Sequence, residues 1–140
     1  MSSYLVTGGS GQLGQCFLAV AKEFPEINLY FASRNEVDIT RSETIVNFYS
    51  KNPFDGIINC AAYTNVDRSE KDQRNVFKIN TEGLQSMIDF AEKKNLSIIH
   101  FSTDYVFDGQ SSEPYQEQAA TNPIGIYGNS KLQGEVRLSK

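Results

Sequence analysis

Tyr127 and Lys131 stand four residues apart in a segment that reads as helix, so they share one face. A phenol has a reference pKa of about 10, and exchanging its proton near neutrality requires roughly 4 kcal/mol of phenolate stabilisation. An ammonium on the same face provides part of that. Thr103, just past the carboxyl end of an apolar run, adds a hydroxyl able to polarise a carbonyl. A proton donor, its tuning cation and a carbonyl-polarising hydroxyl are the parts of a carbonyl-reducing or alcohol-oxidising site. Tyr-x-x-x-Lys alone is frequent and often only a helix surface. Its meaning depends on what precedes it.

What precedes it is Leu5-Val-Thr-Gly-Gly-Ser-Gly-Gln-Leu-Gly-Gln15. Tyr4–Val6 reads as a buried strand. Leu13, Phe17, Val20, Ala21 and Phe24 then recur at i, i+4, i+7, i+8 and i+11, one face of a helix stopped by Pro25. Strand, glycine turn and helix form the context of a dinucleotide-binding fingerprint. Gly8 permits the tight turn, Gly11 lets the backbone approach a pyrophosphate, and Gly14 allows close helix packing. The free N–H groups at the helix start, at Gln12 and Leu13, face the phosphates. A nicotinamide cation bound there would favour the Tyr127 phenolate further.

The remaining elements position these two sets. Ile27–Ala32 is a second strand, and its end is where an acid would hold the ribose 2′-hydroxyl of NAD. Ser33 and Arg34 stand there instead and suit a 2′-phosphate, so NADPH is expected over NADH. Asp38 sits where adenine would lie, and Thr40 with Glu43 reads as a capping box opening a helix through Ile45, Val46 and Tyr49. Gly56–Asn59 is the third strand, leaving through Cys60 and the small residues Ala61 and Ala62, against which a ligand could lie. A long helix is expected over roughly Asn75 to Lys93, burying Phe77, Leu84, Met87, Ile88 and Ala91, with Gly83 out of place at about 1 kcal/mol. Asn80 on it could satisfy a buried backbone group. Leu96–Phe101 is the fourth strand, and His100 inside it, the only histidine, reads as structural. Ser102-Thr103-Asp104 follows at the strand end, where open α/β sheets keep their chemistry. The stretch from Asp104 to Pro123 lacks periodicity, yet Tyr105, Phe107 and Tyr115 argue against disorder. Ile124 to Lys140 reads as helix.

The 140 residues suit a single domain. A net charge of −4, from 13 Lys+Arg against 17 Asp+Glu, and the absence of a basic stripe argue against nucleic acid. No apolar run approaches the length of about 18 residues that crosses a membrane. Cys16 and Cys60 show no metal-ligand spacing and fit a reduced, cytoplasmic setting, and the start of the chain leaves no room for a signal peptide. No metal site is expected.

The order of glycine turn, strand-end Ser-Thr and Tyr-x-x-x-Lys resembles the extended branch of the short-chain dehydrogenase/reductase superfamily, and within it the dTDP-4-dehydrorhamnose reductases. The matching stretches are Val6–Gly14, Asp38–Thr40, Asn59–Thr64 with Val66-Asp67, Asn80 with Gly83, Ser102–Gly109, Pro114-Tyr115 with Glu117, and Tyr127-Gly128 with Lys131, Gly134 and Glu135. Ser102-Thr-Asp-Tyr-Val-Phe-Asp-Gly109 is the most specific of them. Cys60 stands where the family usually has alanine.

The resemblance implies a Rossmann-type α/β fold, a parallel sheet with helices on both faces, its four strands filling positions 3-2-1-4 of the order 3-2-1-4-5-6. It implies reduction of the C4 ketone of dTDP-4-dehydro-β-L-rhamnose to dTDP-L-rhamnose by NADPH or NADH. Thr103 would hold the carbonyl, Tyr127 give the proton, and Lys131 bind the nicotinamide ribose. Ile39, Tyr63 and Asn80 would join Gly8, Gly11, Gln12, Leu13, Gly14, Arg34, Asp38, Ala61 and Ala62 around the cofactor. Asp104 and Tyr105 would touch the dTDP-sugar. Related dehydratases place Asp-Glu after the Thr, whereas here Tyr105 follows Asp104, which favours plain reduction. Family members continue for about as many residues again and draw most sugar-nucleotide contacts from that part. These residues alone are therefore expected to be an incomplete domain, inactive by itself, and a homo-oligomer through the edge of the fourth strand. The alternatives are a non-catalytic NADP-binding module, like the regulatory subunit of methionine adenosyltransferase that resembles the same family, or another sugar-nucleotide reductase or epimerase.

Overall fold

The computed structural model describes residues 1–139, and Lys140 lies outside the described residues. The chain divides into two units, the first made of Met1–Ala62 and Ser86–Phe101, the second of Tyr63–Gln85 and the segment from Ser102 on.

The first unit is built on a parallel sheet of β1 (Ser2–Thr7), β2 (Ile27–Ala32), β3 (Gly56–Asn59) and β4 (Ser97–His100), in the order β2-β1-β3-β4. Leu5 and Val6 point to opposite faces of β1 and both are fully buried, so both faces of the sheet are covered. The expected 3-2-1-4 arrangement is corrected. The third strand pairs with β1, not with β2, and β4 pairs with β3, not with β1. The reason is burial. All four residues of β3 are buried, which an outermost strand cannot achieve, whereas β2 is only partly buried and takes that outer position. The segment 33–41 adds no strand outside β2.

Helices α1 (Gln12–Val20, continued by a single 3₁₀ turn) and α2 (Ser42–Lys51) belong to this unit, as do residues from Ser86 on of α5 (Leu84–Lys94). Met87, Ile88, Phe90 and Ala91 of α5 are buried, as their spacing requires. Tyr49 makes edge-on contacts with Phe54 and Phe90 at 4.9 and 5.4 Å between ring centroids. The apolar face read into α1 is not buried. Leu13, Val20 and Phe24 stand exposed, and Gly14 is the one buried residue of the helix. The capping box is also corrected. Asp38 Oδ1 accepts from both the N–H and the hydroxyl of Thr40, at 2.9 and 2.7 Å, so Thr40 is drawn into a turn and the helix starts two residues later without a side-chain cap.

The second unit holds α3 (Val66–Ser69), α4 (Gln73–Phe77) and α6 (Ile126–Leu138). The single helix expected over 75–93 is interrupted. Between α4 and α5 the residues Lys78–Gly83 wind as a π-helical turn, which shifts the buried positions, so that Val76 is buried in place of Phe77. The stretch after β4 is ordered by its own contacts. Phe107 stacks on Tyr115 at 4.4 Å, and the Asp108 carboxylate accepts from the Tyr115 hydroxyl, the Gln110 N–H and the Asn122 amide.

Candidate active site

In the first unit the glycine turn has no room for a side chain at Gly8 or Gly14. Gly8 has φ +64°, and a Cβ there would lie 2.8 Å from the Ala61 nitrogen. A Cβ on Gly14 would lie 2.6 Å from the Gly8 carbonyl oxygen, so α1 is pressed against the turn. The Gly11 N–H donates to the Gly8 carbonyl at 2.8 Å, and the Gln15 amide donates to the Gly9 carbonyl at 2.8 Å. Gly11 opens α1 with an extended backbone and no side-chain cap, and the first turn carries no acid. Gln12 and Leu13 thus sit at an uncapped helix start, the polarity that suits phosphate oxygens. An uncapped helix start behind a closely packed glycine turn fits a pyrophosphate.

At the end of β2, Arg34 is exposed, with its Nε 3.6 Å from Asp38. Ser33 differs from its expected role as a phosphate partner. Its N–H and hydroxyl both donate to Glu36, at 2.8 and 2.7 Å. Those two bonds hold the Glu36 carboxyl below its ordinary value. Asp38 is also lowered: desolvation opposes the shift, and the bonds from Thr40 with the charge of Arg34 outweigh it. Ile39, expected beside the cofactor, is buried in the core. Ala61 and Ala62 are partly exposed beside Gly8.

Sequence reading missed Asn59. Its Oδ1 accepts from the Thr7 hydroxyl at 2.7 Å and the Ala61 N–H at 3.1 Å, which fixes the amide orientation. Its Nδ2 must then donate to His100 Nδ1 at 3.0 Å, so His100 has a structural partner at that nitrogen. An asparagine at the end of an otherwise apolar strand was the available signal. Burial pushes the neighbouring Cys60 thiol up to about 11.

The second unit brings together Tyr63, Asn80, Thr103, Asp104, Tyr105, Tyr127 and Lys131. Thr103 Oγ1 accepts from the Tyr105 N–H at 3.3 Å, closing a short 3₁₀ turn. The Tyr105 ring meets the Tyr127 ring edge-on at 5.6 Å. Gly128 explains the Tyr-Gly pair, because a Cβ there would collide with the Tyr105 carbonyl oxygen. Glu70 accepts from the Ile126 N–H at 2.9 Å, anchoring the start of α6. Lys131 is 3% exposed. Burial pulls its ammonium down to about 8, against Glu135 one turn further on, which favours the charge. Glu135 also accepts from the Ser102 hydroxyl. Asn80 does what its position foretold: its Oδ1 accepts from the Tyr63 N–H at 2.8 Å and its Nδ2 donates to the Tyr63 carbonyl at 3.1 Å. Among the described residues no cluster of metal-ligating side chains is present, and no helix is long and apolar enough to cross a membrane.

A parallel α/β sheet opening on a glycine turn closed to side chains, in a chain with a Tyr-x-x-x-Lys helix, defines a Rossmann-type domain of the short-chain dehydrogenase/reductase class. Within that class, the chain belongs to the family described as the RmlD substrate binding domain, whose model matches residues 2–140. A dTDP-4-dehydrorhamnose reductase of Aggregatibacter actinomycetemcomitans is 35% identical over 138 residues, covering 99% of this chain and 47% of that protein. The crystal structure of dTDP-4-dehydrorhamnose reductase from Bacillus anthracis, in complex with NADP, matches with a TM-score of 0.91 at 33% identity, over 99% of this chain and 50% of that one. UDP-glucose 4-epimerase from Brucella ovis, in complex with NAD, matches with a TM-score of 0.86 at 25% identity, over 99% and 47%. The chain spans about half the length of the curated relatives it matches.

Proposed function

We propose that this chain carries the cofactor turn and the proton-transfer residues of a sugar-nucleotide carbonyl reductase, which converts the C4 ketone of dTDP-4-dehydro-β-L-rhamnose to the alcohol of dTDP-L-rhamnose. The observation that carries this reading is the family match over residues 2–140 with Thr103, Tyr127 and a buried Lys131 all retained. NADPH, when bound, supplies the hydride. The turn of Gly8, Gly11 and Gly14, with the N–H groups of Gln12 and Leu13, would hold its pyrophosphate and Arg34 its 2′-phosphate. Asp38 and Ile39 would meet the adenine side, and Ala61, Ala62, Tyr63 and Asn80 the backbone-lined remainder.

The other residues act on the sugar carbonyl. Thr103 donates to the C4 oxygen and polarises it. The Tyr127 hydroxyl gives its proton to that oxygen as the hydride reaches C4, so ketone, hydride and proton balance to alcohol. Lys131 holds the nicotinamide ribose, and its positive charge favours the phenolate left on Tyr127. Asp104 and Tyr105 would contact the sugar. Tyr105 occupies the place where an eliminating enzyme needs a second carboxylate, which favours reduction over dehydration. A cytoplasmic setting and a homo-oligomeric state belong to the same proposal, the first supported by two free cysteines.

The test is Tyr127→Phe in the full-length protein, with NADPH consumption followed on the dTDP-keto sugar. Turnover is expected to fall by about 10²-fold or more with cofactor affinity little changed. Near-parent turnover would remove Tyr127 from the role of acid. A parent that binds NADPH but consumes none would point to a non-catalytic module.

A further inference from the structure

Two neighbouring residues of the π-helical turn reach the same residue of α6. Asn80 and Thr81 are 3% and 4% exposed. Asn80 Nδ2 donates to the Ser130 hydroxyl oxygen at 2.9 Å, and the Thr81 hydroxyl donates to the Ser130 carbonyl at 2.9 Å. The Ser130 hydroxyl donates in turn to the Tyr127 carbonyl at 2.7 Å. Ser130 is itself fully buried. It lies three residues after Tyr127 and immediately before Lys131.

A helix held at one atom can still rotate about it. Ser130 is held at a side-chain and a main-chain oxygen, by two donors on one rigid turn. That fixes both the rotation of α6 and its height along its axis. An uninterrupted α-helix spaces adjacent side chains about 100° apart around its axis, while the wider π winding alters that spacing and often marks functional sites. Here it presents adjacent residues to one partner. The same Asn80 holds the Tyr63 backbone, so the grip has a fixed base.

We propose that Thr81 is a positioning residue, which through Ser130 sets the placement of the Tyr127 hydroxyl and the Lys131 ammonium. The part of this that concerns rate rests on the reductase reading above. The placement itself does not.

The decisive variant is Thr81→Val, which keeps the volume and removes the donor, with Thr81→Ser as the conservative rescue. In the full-length protein, Thr81→Val is expected to lower kcat by about tenfold, since small misplacements of reacting groups cost that much or more. The KM for NADPH should stay within about twofold and the melting temperature close to the parent's, and Thr81→Ser should restore kcat. Unchanged kcat in Thr81→Val, or equal losses in Val and Ser variants, overturns the proposal. The NMR resonances of the Tyr127 ring and the Lys131 side-chain nitrogen provide a readout free of activity. They should move in Thr81→Val and return in Thr81→Ser. Should the parent prove inactive, the reductase reading fails, and these resonances still decide: movement with rescue supports the positioning role, and unmoved resonances overturn it.

Discussion

At the scale of single residues, two charges carry the sharpest expectations. Glu36, held ionised by Ser33, places a negative charge beside the position offered to a 2′-phosphate, while Arg34 supplies the attraction. Arg34→Ala should narrow the preference for NADPH over NADH, and Glu36→Gln should widen it several-fold. Titration of both cofactors measures each, and equal affinities in the parent chain would defeat the NADPH assignment. Lys131 carries the second expectation. Its folded value of about 8 lies below the ordinary 10.5, so between those values the unfolded chain holds a proton that the folded chain has released. Stability therefore rises with pH across that window, by an amount approaching 3 kcal/mol, and is flat in this contribution below about pH 8. Comparing denaturant midpoints at pH 7.5 and 10 for the parent and Lys131→Met isolates it. Identical slopes would show that Lys131 is not desolvated. That Tyr127 and Lys131 share one helix was legible from their spacing. Ser33's engagement with Glu36 was not, because a serine reads the same in sequence whichever partner it takes.

At the scale of elements, the helix carrying Tyr127 is placed by close approach rather than by an amphipathic stripe. Gly128, Ser130, Lys131 and Gly134 are its buried residues, a set with little hydrophobicity. Gly128→Ala would drive a methyl group into the Tyr105 carbonyl, and overpacking of this kind costs about 1–3 kcal/mol. Thermal unfolding should show the loss, and a variant as stable as the parent would mean that Tyr105 moves aside freely. The glycine turn was readable because Gly8 and Gly14 each answer a steric demand. The π-helical turn was not. Its residues Asn80 and Thr81 bond to Ser130, fifty and forty-nine residues away in the chain, and local pattern does not express such partners.

At the scale of the whole molecule, β4 is one of the two outer strands, pairing with β3 alone among the described strands, and its Ile99 is 48% exposed. Leu13, Phe24 and Phe101 add exposed apolar surface in the same unit. Outer strands with apolar side chains recruit further chains. The chain is expected to associate in a concentration-dependent way. Light scattering over a range of concentrations checks this. A clean monomer throughout would refute it, and Ile99→Lys should shift any associated species toward monomer.

By itself the sequence determined what depends on neighbours in the chain: four apolar strands, a turn requiring glycine, and a Tyr-Lys pair one helical turn apart. Tertiary structure alone decided what depends on residues far apart. The order β2-β1-β3-β4 follows from the need to bury all four residues of β3, a demand that local pattern does not express. The role of Asn59 appears only once Thr7, Ala61 and His100 surround its amide. The lowered value of Lys131 exists only because folding removes water from its ammonium, and no spacing of residues along the chain encodes that desolvation.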